Sequence, residues 1–176
     1  MSIIIVIITA VSLSMDAFSL SLAYGTLNIK KIQILMLSLI VGIYHLIMPL
    51  IGMNVGSKII HLLPIQPNFL VFIVLFLIGI QMIIESFNKK ENIYDLTIKE
   101  MLLFGFAVSI DSFTLGIGLE VLYKSPIISA IIFSITSGLF TYVGLKLGKQ
   151  INNYIGKIST IIGGFVLIII GILYII

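Results

Sequence analysis

The chain contains no cysteine, no tryptophan and no arginine, and charged residues make up only 10% of it. Without cysteine there is no disulfide framework, no thiolate metal site and no thiol redox relay. The basic residues are ten lysines, set singly or in pairs between apolar stretches, so no basic patch exists for nucleic acid. An average soluble domain carries about 25% charged residues; here 60% of residues are hydrophobic and the mean hydropathy is +1.27. Such a chain is an all-α integral membrane protein. Its apolar runs have the length of about 20 residues that a helix needs to cross a bilayer, and they do not show the alternating segments of about 10 residues that barrel strands require.

What is present is six runs of spanning length, at residues 3–24, 33–56, 69–87, 101–123, 126–147 and 158–176. The connectors between them are short, and the segment 88–98 reads as a linker between two halves within one transmembrane domain. No connector could fold as a soluble domain, and neither a metalloprotease motif nor a nucleophile–base pair occurs, so an enzyme is not expected. The first run lacks a basic n-region and a small-residue cleavage site, and reads as a retained helix. Lys30, Lys31, Lys89, Lys90, Lys99, Lys146, Lys149 and Lys157 fall on one side, against Lys58 and Lys124 on the other. Translocation leaves lysines of short loops in the cytoplasm, which predicts both termini outside.

The stretch Ser14–Ser21, S-M-D-A-F-S-L-S, sets Asp16 inside an apolar run, and S-I-D-S-F-T-L-G sets Asp111 in the same pattern 95 residues later. Gly52 and Gly56 correspond to Gly144 and Gly148 at an offset of 92. Three helices per repeat is an odd number, so the halves enter the membrane in opposite senses. The expected architecture is therefore six transmembrane helices as two inverted three-helix repeats, an arrangement that puts substrate sites near the midplane at the repeat interface. At a rise of about 1.5 Å per residue both acids lie roughly 15 to 20 Å into a slab about 30 Å thick.

An ionised Asp at a helix centre costs at least about 2.5 kcal/mol, so each needs a purpose. Protonated acids acting as interhelical glue are one reading; a cation or proton site is the other. Two close carboxylates repel, so that one holds a proton until a cation arrives, which links cation binding to proton release. On a regular helix Ser12 and Ser19 share a face with Asp16, and Thr114 and Gly118 share one with Asp111. Ser14 and Ser109, two residues before each acid, face away unless the helix unwinds there, and so serve either packing or ligation. His45 is a third titratable group, either hydrogen-bonded to a neighbouring helix or acting as a nitrogen ligand or proton acceptor. Its counterpart at the 92-residue offset is Ser137, so the repeat is not symmetric at this position. The G-x-x-x-G pairs favour close helix packing. A donor set of Asp16, Asp111, Ser14, Ser109, Ser19, Thr114 and His45 suits hard to borderline divalent ions such as manganese, magnesium or ferrous iron, and spacing does not choose among them.

The paired S-M-D-A-F and S-I-D-S-F, the L-G-I-G-L after the second, and P-L-I-G-x-x-x-G in the second run resemble the MntP-type manganese exporters over essentially the whole chain. The resemblance implies manganese(II) as transported substrate rather than cofactor, and efflux through the cytoplasmic membrane of a bacterium by secondary transport within the LysE-like group. Protons are the expected coupling ion and the lipid bilayer the setting. It implies Asp16 and Asp111 as the central acids, with Ser14 and Ser109 in the same motifs. Some members have Glu where His45 stands, which changes what that position could contribute to charge and proton coupling. The alternatives are an exporter of another cation or of a basic amino acid, and a non-transporting membrane protein like the YtaF sporulation group, which shares the acid motif.

Overall fold

The computed structural model describes residues 3–27, 29–59, 67–87, 95–122, 126–155 and 157–173, and these form six α-helices. They are α1 (Ile3–Tyr24), α2 (Lys31–Ile59), α3 (Pro67–Phe87), α4 (Ile98–Leu122), α5 (Pro126–Ile155) and α6 (Lys157–Leu173). Among the described residues, Val6–Tyr24, Lys31–Asn54 and Ile127–Asn152 are long and apolar enough to cross a membrane, and Thr160–Leu173 is a shorter apolar helix. Pro67 and Pro126 stand first in their helices, where the missing N–H is not needed and the fixed φ already suits the helix.

Most helix ends shift by one to three residues from the sequence expectation and the end of α5 by eight; two of these shifts have a plain local reason. Helix α4 begins at Ile98 rather than 101, because Thr97 and Glu100 form a reciprocal capping box. The Thr97 N–H donates to Glu100 Oε2 at 2.8 Å and the Glu100 N–H to Thr97 Oγ1 at 3.3 Å. Helix α5 does not stop at Leu147 but continues through Gly148 and Lys149 to Ile155. Its 30 residues give a rod of about 45 Å, roughly 15 Å longer than a hydrocarbon slab is thick. Gly148 is there for proximity rather than termination: a Cβ at this position would run into the carbonyl of Leu22 and the backbone of Gly25.

The helices pair unequally. The most extensive contacts are α1 with α5 and α2 with α4, followed by α2 with α5 and α3 with α6. Contacts of α1 with α6, of α3 with α4 and of α1 with α4 are much thinner. Glycines sit where backbones meet. Gly144 of α5 faces the Phe18 carbonyl of α1, Gly52 of α2 faces the Phe113 carbonyl of α4, and Gly116 of α4 faces Pro49. Gly79 and Gly164 face each other's carbonyls and bring α3 against α6. Absent side chains let helices approach closely enough for dispersion to hold them where lipid offers no hydrophobic drive.

The surface is apolar and the helix contacts are studded with hydroxyls, the reverse of a water-soluble bundle. Ile4, Ile8, Leu39, Ile43, Ile135, Leu139 and Ile169 are exposed, whereas Ser14, Ser21, Ser109, Ser112, Ser137 and Thr141 are wholly buried. The larger core cluster lies at the lysine-rich end, where Tyr24 stacks on Phe104 at 4.6 Å between centroids and both pack with Ile29, Leu96, Met101 and Leu145. A smaller cluster of Val6, Ala10, Leu13 and Phe133 closes α1 on α5 towards the opposite end.

Candidate functional site

Helices α1 and α4 are continuous through Asp16 and Asp111, so no backbone carbonyl is freed beside either acid. This decides which way the two motif serines turn. Ser14 is fully buried on the face away from Asp16; its hydroxyl donates to the Ala10 carbonyl at 2.6 Å and lies 3.0 Å from Ser137 Oγ on α5. Ser109 is likewise buried and donates to the Gly105 carbonyl at 2.8 Å. In this conformation both hydroxyls belong to helix contacts. Ser137, noted from sequence only as the counterpart of His45, is the cross-helix partner that the repeat alignment did not reveal.

Asp16 lies on α1 and Asp111 on α4, two helices that share only a thin contact. Asp16 is exposed within the chain, together with Ser12 and Ser19 on the same face of α1. Asp111 is half-buried. Asp111 Oδ1 accepts the Ser112 N–H at 2.7 Å, while its Oδ2 is buried and has no hydrogen-bond partner among the described residues. Ser112, also buried, was not anticipated; Ala17 stands at the equivalent place after Asp16, so the two acids have unlike neighbours. Among the described residues one oxygen of Asp111 is thus oriented and the other is unpaired.

His45 is fully buried in α2. Its Nδ1 lies 2.9 Å from the Val41 carbonyl of its own helix, and Nε2 has no partner among the described residues. With Nδ1 donating to that carbonyl, the lone pair falls on Nε2, the tautomer a metal ligand or proton acceptor uses. Among the described residues no three of His, Asp or Glu converge as a ready cation cage. His45 is therefore not drawn together with both acids in this conformation. Ser19 donates to the Met15 carbonyl at 2.9 Å and lines an apolar cavity of about 180 Å³ with Leu22, Thr26 and Val166. The Thr114 side chain lies outside the described residues, as do those of Glu85 and Glu120.

Comparison with known proteins identifies relatives of the whole chain. Residues 28–175 match the family model Mntp, described as "Putative manganese efflux pump". Curated relatives described as "Putative manganese efflux pump MntP" include one from Methanobrevibacter smithii, 39% identical over 175 residues, covering 97% of this chain and 95% of that protein. Another, from Bacillus licheniformis, is 36% identical over 163 residues, covering 92% and 88% respectively. A third, from Methanosphaera stadtmanae, is 36% identical with 94% of each chain covered. No solved structure matches the chain.

Proposed function

We propose, on the premise that this chain belongs to the MntP family, that it carries manganese(II) out of the cytoplasm by secondary transport, with Asp16 and Asp111 as the ligands that take the ion between α1 and α4. The observation that carries the site assignment is Asp111 Oδ2, which is buried and has no hydrogen-bond partner among the described residues. Two carboxylates acting on one divalent ion balance its charge, and hydroxyl or water oxygens complete a hard donor set suited to manganese. Ser19 and Thr114, one turn after the acids, are hydroxyls that helix spacing puts on the acids' own faces. His45, with Nε2 unpaired among the described residues, would add a borderline nitrogen only if α2 repacked. Ser14 and Ser109 would join only if α1 and α4 opened at the acids.

Proton coupling follows from the same pair. Two carboxylates without a cation hold a proton between them, and a divalent ion displaces it, so that ion loading and proton release become one event. The packing supports the reading of six spanning helices as inverted repeats. The pairs α1–α5 and α2–α4 are the two most extensive contacts. Gly144 on Phe18 and Gly52 on Phe113 are the same contact at offsets of 92 and 95 residues. In the cytoplasmic membrane this arrangement would put both termini outside and the lysine-rich end inside.

The test is manganese content in a manganese-sensitive host. Expression of the parent chain is expected to lower intracellular manganese. Asp16→Asn and Asp111→Asn, at equal abundance in the membrane, are expected to leave it at the level of the empty host. Either variant lowering manganese as well as the parent does would refute the site assignment.

A further inference from the structure

The connector joining α1 to α2 is short, yet its residues do not simply turn at the surface. Leu27 and Ile29 are buried, at 4% and 0% exposure, and pack into the core cluster with Tyr24, Leu96, Met101 and Leu145. Two of the connector's backbone carbonyls are claimed by side chains from the far half of the chain. The Thr26 carbonyl accepts from Asn152 Nδ2 and, at 2.9 Å, from Thr160 Oγ1; the Ile29 carbonyl accepts from Lys149 Nζ. Over this sits an ion pair, Lys30 Nζ to Asp95 Oδ2 at 2.5 Å, with Gln33 donating to Asp95 Oδ1 at 2.6 Å and to the Leu96 carbonyl at 3.0 Å. In these hydrogen bonds and this ion pair the receiving groups, on Asp95, Leu96, Lys149, Asn152 and Thr160, all come from the second half of the chain, and the groups they hold lie between Thr26 and Gln33.

From these contacts we infer that the connector, described at Gly25–Leu27 and Ile29–Lys30, is a plug that closes the lysine-rich end of the bundle and must withdraw before an ion can reach Asp16 and Asp111 from that side. This rests on the transport reading. The bonding is suited to reversal. Lys30 and Asp95 are solvent-exposed, so their pairing is screened and weak, and water can take over the two carbonyls as the plug leaves. The buried Leu27 and Ile29 supply the closing tendency, because seating them removes apolar surface from water. The glycines let it seat: a Cβ on Gly25 would strike the backbone of Leu145, and one on Gly148 would strike Leu22 and Gly25.

The absence of cysteine makes the test clean. In proteoliposomes carrying Lys30→Cys/Asp95→Cys protein, a short bifunctional methanethiosulfonate linker is expected to cut manganese(II) flux about tenfold, with reductant restoring it. The two single variants treated in the same way are expected to keep their flux. Complete cross-linking with unchanged flux overturns the plug. A second measurement does not depend on transport. Ile29→Cys is expected to react within minutes with a membrane-impermeant maleimide supplied on the lysine-rich side, while Leu37→Cys, equally buried inside α2, stays protected. Equal protection of the two overturns the plug. Flux missing in both redox states, with Ile29→Cys still labelled, counts against manganese transport and supports the plug.

Discussion

Replacing Gly144 by alanine tests a close approach in the largest helix contact. A Cβ at this position would lie 2.7 Å from the Phe18 carbonyl oxygen, 3.0 Å from Ser21 Cβ and 3.1 Å from the Leu22 nitrogen. Ordinary contact begins at 3.4 Å, so the first is short by 3.4 − 2.7 = 0.7 Å, and two of the three atoms are backbone that no rotamer change can move. Helices α1 and α5 must therefore part by several tenths of an ångström along the contact. Gaps of about 0.5 to 1 Å forfeit a quarter to a half of the dispersion well at each atom pair. Overpacking of this kind costs about 1 to 3 kcal/mol. A change of about 2 kcal/mol corresponds to a fall of roughly 4 to 8 °C in melting temperature for a chain of this size. Gly138→Ala on the same helix is the control. Its Cβ would meet the Ser38 carbonyl at 3.3 Å and little else, so the alanine helix propensity, worth up to about 1 kcal/mol, offsets the contact. Thermal melts of the two purified variants in one detergent, followed by fluorescence-detected gel filtration, give the comparison. If Gly144→Ala melts with Gly138→Ala and the parent, α1 and α5 do not approach as described and the account of their packing is wrong.

Other expectations are smaller in scale. Ser14→Ala removes the hydroxyl pair with Ser137 and is expected to lower stability by about 1 kcal/mol in the same melt; manganese efflux at equal abundance should persist, because the hydroxyl faces α5 rather than the acids. The Lys30 ammonium donating to Asp95 holds that carboxyl below its ordinary value of 3.8. A lowered carboxylate stabilises the fold above its unfolded value and loses that contribution as pH falls through the folded one. The difference in melting temperature between the parent and Asp95→Asn should therefore be level from about pH 5 to 9 and close only at pH below the ordinary carboxylate value. A difference that closes near neutral pH would refute the pairing.

The membrane character and the approximate positions of the six apolar helices were legible because each depends on local composition. An apolar run has a length and an Asp inside it has a cost, whatever the rest of the chain does. The G-x-x-x-G pairs were also legible, though Gly148 was read as leaving the helix when it lies within α5 against Leu22. Spacing does not say whether a glycine ends a helix or thins it for a neighbour. The early start of α4 was present as Thr97-x-x-Glu100 and passed over for the apolar run behind it. The burial of Leu27 and Ile29 was not legible, because it depends on Lys149, Asn152 and Thr160 arriving more than 100 residues later. Whether Ser14 turned to the acid or to α5 depended on helix continuity, which the sequence left open and the structure resolves towards α5.

Helix α5 has a mechanical property that follows from its length. It is a single unbroken rod that touches Ser14 through Ser137 near its middle and holds the Ile29 carbonyl through Lys149 further along. The 12 residues between those two contacts span about 18 Å. Pivoting at Ser137, a tilt of about 5° sweeps the Lys149 end through about 1.6 Å over that arm, which is further than a hydrogen bond stretches before it is lost. A tilt of α5 about Ser137 would therefore act as a lever, turning a slight shift near the middle of the helix into a broken bond at its far end.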